Sequence, residues 1–234
     1  MRRSFDLIVG ILDASSNLVG SRLINIISGL QSQANSSSTP TSAGKFDECT
    51  SNFHHFTTPT LPHLLALLTH QSTGFPPSST SLIVIDSIAT SFALAFPKIT
   101  EHSNSQQNPV KRGDTAQWAS GRRWAVMGDF ISKIGKIAAT RNIAVLLTNQ
   151  TNTRIRSETG AMLHPAVSGT AWDTGIRTRI VLFRDWMFQP SETPSSQSDI
   201  LPGVRFAGVM KAKGITHEGI SNVVAFTIEK VSKP

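Results

Sequence analysis

Three uninterrupted aliphatic runs, each ending in polar residues, limit the possible folds of this chain more than any other feature. They are Ile8-Val9-Gly10-Ile11-Leu12 before Asp13, Leu82-Ile83-Val84-Ile85 before Asp86, and Ile143-Ala144-Val145-Leu146-Leu147 before Thr148-Asn149-Gln150. A strand with one wet face alternates apolar and polar residues, whereas a strand without alternation is buried on both faces. A parallel sheet between layers of helices meets that requirement. In such sheets ligands gather beyond the carboxyl ends of the strands, where these polar residues fall.

The intervening segments fit that plan. FDLIVGILDA (5–14) predicts a strand and SRLINIISGL (21–30) a helix. A short strand near Phe53–Phe56 and a helix over LPHLLALLTH (61–70) precede the strand SLIVID (81–86). RRWAVMGDFISKIGKIAATR (122–141) sets Trp124, Met127, Ile131, Ile134 and Ala138 at helical spacing, with Lys133 and Lys136 turned outward. NIAVLLTNQ (142–150) and TRIVLFRD (178–185) follow as strands, with two more near VRFAGVMKA and NVVAFTIEK. The expected fold is one α/β domain over residues 1–234, a mostly parallel sheet flanked by helices and closed by antiparallel C-terminal strands. Four segments rich in Ser, Thr, Pro, Gln and Asn (31–44, 71–80, 97–115 and 189–199) read as linkers or surface insertions, because they carry too little apolar surface to order themselves.

Composition removes several classes of function. Cys49 is the only cysteine, which excludes a disulfide framework and a cysteine zinc site and points to a reducing compartment. The seven histidines lack metal-ligand spacing, so His54, His55, His63 and His70 read as surface or strand residues. No apolar stretch nears the ~20 residues that span a bilayer, and no membrane partner is expected. The opening MRRSFDLIVGILDA imitates a signal peptide, but Asp6 and Asp13 interrupt its apolar run, which reads as a buried strand. The net charge of +7 is concentrated: residues 111–186 hold 12 Lys and Arg against 5 Asp and Glu, and the remainder balances at 10 each. Such an excess suits a localised polyanion-binding surface, the alternative being a solvated basic face.

An aliphatic strand ending in aspartate has the form of a Walker B carboxylate, which holds a nucleotide's magnesium through its water shell; an aspartate that merely caps the next turn looks the same. The order of the segments adds more. LDASSNLVGSRLINII, then LIVIDSIAT, then a long amphipathic helix running into GKIAATRNIAVLLTNQ, resembles the ATPase core of RecA-like recombinases, and the eukaryotic strand-exchange recombinase paralogues in particular. PAVSGTAWDTGIRTRIVLFRD (165–185) looks like the paralogue form, with Pro-Ala-x-x-Gly-x-x-Trp before the strand, and FTTPTLPHLLALLTH (56–70) fits a paralogue's helix before the Walker B strand. The resemblance spans residues 5–185 and, more loosely, extends to 230.

That resemblance implies a RecA-like P-loop NTPase core with ATP and magnesium as cofactors, and a nuclear protein of homologous-recombination DNA repair. Its implied partners are single-stranded DNA and either other recombinase paralogues or the recombinase filament. Asp86 corresponds to the magnesium-shell aspartate, and Gln150 to the residue that senses the terminal phosphate and signals into the following loop. The stretch 151–169 corresponds to the second DNA-binding loop, a mobile segment on which Arg154 and Arg156 can neutralise phosphates without reading sequence. The first such loop would lie before Arg122 and Arg123, which become further candidates for DNA contact. Trp172 is expected to pack rather than stack on bases, and Arg177 and Arg179 share one strand face, towards solvent or a subunit.

The sequence departs from the family in two places. A Walker A loop needs G-x-x-x-x-G-K-[ST], whose amides and lysine cradle phosphates. Here Gly44-Lys45 runs into Phe46 and Gly135-Lys136 into Ile137. The family's loop precedes the first strand, so the resemblance implies an N-terminally truncated or variant form. Family members also carry a water-activating glutamate two residues after the aspartate of that strand, where this chain has Ser15. Serine does not act as a base at neutral pH, so no catalytic residue is assigned. Three functions stay open: a DNA-binding adaptor with little or no ATP hydrolysis, a DNA-dependent ATPase whose P-loop lies in further N-terminal sequence, and a scaffold whose basic region meets an acidic partner.

Overall fold

The computed structural model describes residues 6–11, 25–26, 28–29, 53–70, 74–97, 109–156, 160–184 and 204–228. Contacts divide the chain into two compact units, Met1–Gly175 and Ile176–Pro234. Asp13, Ser15 and the insertions 31–44 and 189–199 lie outside the described residues.

The first unit is built on a wholly parallel sheet of four strands: β1 (Asp6–Ile11), β2 (Phe53–Thr57), β3 (Thr80–Asp86) and β4 (Ala144–Leu147), in the order β2-β1-β3-β4. Strand β3 pairs with β1 from Leu82 opposite Leu7 to Asp86 opposite Ile11, and with β4 from Leu82 opposite Ala144 to Ile85 opposite Leu147. The aliphatic run of β3 thus lies inside the sheet, with Leu82 and Val84 half-buried, whereas β4, expected to be buried on both faces, leaves Ala144 and Leu146 exposed. Ile83 and Ile85 are almost wholly covered.

Three helices accompany this sheet in the first unit. Helix α1 (Leu61–Thr69) starts with a proline in its first turn, where the missing N–H costs nothing, and buries Leu61, Leu64 and Leu68 along one stripe. Helix α2 (Ile88–Ala95) follows β3 at once and buries Ile88, Ala89, Ser91 and Phe92. Helix α3 (Pro109–Arg141) runs 33 residues and buries Met127, Phe130, Ile131 and Ile134. Phe92 meets Phe130 edge to face, with ring centroids 6.1 Å apart, so α2 and α3 share one core.

Two expectations change here. The segment 97–115 is in part helix, because α3 begins at Pro109, a residue whose fixed φ suits a helix start. The segment 71–80 is not wholly a surface insertion: Phe75 is buried, edge-on to Phe56 at 5.1 Å, and Thr80 already belongs to β3. An aromatic ring inside a Ser/Pro-rich stretch is enough to draw it into the core.

Beyond β4 the chain forms an antiparallel ribbon, β5 (Thr151–Arg156) with β6 (Gly160–Pro165). The expected mobile loop is therefore a six-pair ladder from Thr151–Pro165 to Arg156–Gly160. A short helix, α4 (Thr170–Gly175), follows and buries Trp172. It sits close to α3: a Cβ on Gly175 would come within 2.2 Å of Ile131.

The second unit is a three-stranded antiparallel sheet of β7 (Arg179–Phe183), β8 (Val204–Ala212) and β9 (Ile215–Thr227), in that order. A two-residue turn at Lys213-Gly214, both with positive φ, joins β8 to β9. Phe183 and Phe206 stack across β7 and β8 at 5.5 Å. Arg179 opens β7 opposite Lys211 of β8, whereas Arg177, expected on the same strand, lies before it.

The shared aromatic core yields a stability prediction. Phe92→Ala removes a fully buried ring and should cost about 3–5 kcal/mol. Leu94→Ala, on the same helix but 72 % exposed, should cost no more than about 0.5 kcal/mol. Chemical denaturation followed by circular dichroism separates the two.

Candidate functional site: the polar rim and the ribbon above it

The carboxyl ends of β3 and β4 are adjacent, so residues 86–88 and 148–150 meet at one rim. Main-chain bonds continue the pairing past β4: the Thr148 N–H donates to the Ile85 carbonyl at 3.1 Å, and the Ile88 N–H donates to the Thr148 carbonyl at 3.2 Å. The second bond satisfies one of the donors that a helix N-terminus leaves open. Ser87, at the junction, has a left-handed backbone (φ 52) that turns the chain from strand into α2.

Side chains knit the rim together. The Thr148 hydroxyl donates to Asp86 Oδ1 and accepts the Ser87 N–H at 3.0 Å. Gln150 Nε2 donates to Ser87 Oγ at 3.3 Å, and Ser87 Oγ pairs with Thr90 Oγ1 at 2.9 Å. Asp86 and Gln150, singled out in the sequence as nucleotide-site residues, therefore stand at the same rim with Thr148 and Ser87 between them. Both are exposed.

The next rungs belong to the ribbon. The Ala166 N–H donates to the Gln150 carbonyl at 2.7 Å, continuing the β5–β6 register one position below the Thr151–Pro165 pair. At the position below that, a side chain replaces the main chain. Asn149 Nδ2 donates to the Val167 carbonyl at 2.8 Å, and Asn149 Oδ1 accepts the Val167 N–H at 3.2 Å. Arg123, on α3, donates from Nη2 to the Ala166 carbonyl at 3.4 Å. All four main-chain polar groups of Ala166 and Val167 are thereby paired, and the Val167 side chain is fully buried. One residue further, Gly169 has φ +135, and a Cβ there would come within 1.7 Å of the Trp124 ring. Trp124, read from the sequence as a core residue of α3, covers this glycine and stays 45 % exposed.

The arginine candidates separate into three settings. Arg154 and Arg156 occupy alternate positions of β5, opposite Met162 and Gly160. Arg122 is exposed on α3, with its guanidinium 5.4 Å from the Trp118 ring centroid. Arg123 is only part-exposed and reaches the ribbon's base. Trp172 is 3 % exposed, a packed residue.

Chemically the rim offers the carboxylate of Asp86, the hydroxyls of Ser87, Thr90 and Thr148, and the side-chain amide of Gln150. Among the described residues no group of three or more His, Cys, Asp or Glu could hold a metal ion. Asp86 alone still fits an outer-sphere role, since magnesium commonly keeps its waters and takes few protein ligands. The phosphate cradle does not fit: the sequence supplies no glycine-rich loop with its lysine and hydroxyl. Among the described residues no helix is long and apolar enough to cross a membrane.

Sequence reasoning missed Ser87, Asn149 and the Ala166–Val167 pair. The signal for Asn149 was present, in a strand tip polar at three successive positions (Thr148-Asn149-Gln150) although a ligand edge needs only one or two. No local pattern marks the main chain of 166–167 as its partner.

Replacing Thr148 by valine keeps the shape and removes both hydrogen bonds of the hydroxyl. Because the site is exposed and water can substitute, the expected cost is about 1 kcal/mol by urea denaturation, with Thr148→Ser close to wild type. Compared with known proteins, the chain matches no family model and no curated sequence.

Proposed function

We propose that this chain is a RecA-like recombinase paralogue of homologous-recombination repair. It works in the nucleus, binding single-stranded DNA and partner paralogues with little or no ATP hydrolysis. The observation that carries this reading is the shared rim: Asp86 and Gln150 stand together, and the arginine-bearing ribbon begins at the residue after Gln150. The local excess of 12 basic over 5 acidic residues in 111–186 supports a polyanionic partner. Arg154 and Arg156, at alternate positions of β5, can meet phosphates, with affinity set by released counterions rather than base sequence.

The low ATPase activity follows from the sequence. Ser15 stands where the family's general base is expected, and loss of a general base costs roughly 10²–10⁴ in rate. The intact Asp86–Gln150 pair favours a second reading, a DNA-dependent ATPase.

Two measurements test these readings. Fluorescence anisotropy with a labelled oligo-dT should show binding that weakens steeply with salt. Arg154→Ala with Arg156→Ala should reduce the logarithmic salt slope by about 1.4, two single-strand phosphate contacts at about 0.7 each. A double variant that binds like wild type removes the ribbon from the DNA site. ATP turnover should stay at background with or without the oligonucleotide; DNA-stimulated turnover abolished by Asp86→Ala would establish the ATPase reading.

A further inference from the structure

The base of the ribbon is tied to the body of the first unit by more than its own ladder. Two of the four bonds on Ala166 and Val167 come from the side-chain amide of Asn149 and one from the guanidinium of Arg123. Neither residue's bond continues the ribbon: Asn149 lies between the rim residues Thr148 and Gln150, and Arg123 lies on α3. A two-stranded ribbon is marginal by itself and is free to swing on its connections. Here the chain leaves the parallel sheet at Thr148, which is still bonded to Ile85, and enters the ribbon at Gln150, already bonded to Ala166. Asn149 is the one residue between those two registers, and its amide supplies a donor and an acceptor at the spacing of a main-chain rung.

We propose that Asn149, assisted by Arg123, is a positioning residue that locks the β5–β6 ribbon to the Asp86–Gln150 rim as one rigid piece, so that a DNA single strand meets a ribbon already ordered. This rests on the DNA-binding reading above and deepens it. Binding to a pre-ordered element avoids the entropy of ordering it on contact. Arg123 accordingly acts on DNA through the ribbon rather than by touching phosphate.

Hydrogen exchange and oligo-dT binding on the full chain test this together, using Asn149→Ala and Arg123→Gln. In Asn149→Ala the amides of 151–156 and 160–167 should exchange about tenfold faster, as expected for two lost hydrogen bonds, while those of 80–92 and 127–147 keep their wild-type rates. Arg123→Gln should give a smaller acceleration in the same segments. DNA affinity should fall about five- to tenfold in Asn149→Ala, with the salt slope unchanged, because no phosphate contact is removed. A wild-type exchange rate in the ribbon overturns the proposal. Acceleration spread equally into 80–92 and 127–147 also overturns it, by making Asn149 a general stability residue. A flattened salt slope in Arg123→Gln overturns the positioning role of Arg123 and makes it a phosphate contact. If wild type binds no oligo-dT, the functional reading and the DNA role of Asn149 fall together, while the exchange rates still decide whether the lock exists.

Discussion

The pairing of every main-chain donor and acceptor of Ala166 and Val167 is the constraint on which the upper part of the first unit depends. An unpaired peptide group away from water costs about as much as a lost hydrogen bond. Val167 is fully buried, so its main chain must find partners inside the protein. Those partners come from the strand tip of β4, through Asn149 and Gln150, and from α3, through Arg123. Satisfying two residues therefore joins the parallel sheet, the long helix and the ribbon at one point. Gly169 completes the junction by letting the Trp124 ring lie against bare backbone.

The rim below this junction follows from how parallel strands end. Inside the sheet Ile83 and Ile85 of β3 are almost wholly covered, and polarity there would be costly. At the carboxyl end the chain must turn back towards α2 and leaves donors and acceptors open. Thr148 answers several of these at once, with its carbonyl on Ile88, its hydroxyl on Asp86 and Ser87, and its N–H on Ile85. Asp86 is thus held by a neighbouring strand and remains exposed.

Legibility varied with the range of the forces involved. The strands β1, β3 and β4 and the leucine stripe of α1 are legible from their aliphatic runs and helical spacing. Helix α2 went unread: IATSFALA is short, and its small polar residues look like a turn until Phe92 finds Phe130. The loop expected over 151–169 comes from the family resemblance, and Thr151–Arg156, polar at nearly every position, carries no apolar face to mark a strand. Its ladder is made by main-chain groups, which leave little trace in side-chain pattern. Phe75 was lost inside a Ser/Pro-rich stretch that composition alone marks as surface.

The chain's own residues determined the α/β class, the parallel strands and the polar identity of their tips, because aliphatic runs without alternation suit a parallel sheet. They also determined where positive charge accumulates. Tertiary structure alone decided that Asp86, Ser87, Thr148 and Gln150 touch, and that Asn149 closes on Val167. Those contacts join residues up to 63 positions apart, and a hydrogen bond of that separation depends on strand order and register rather than on any neighbour in the sequence.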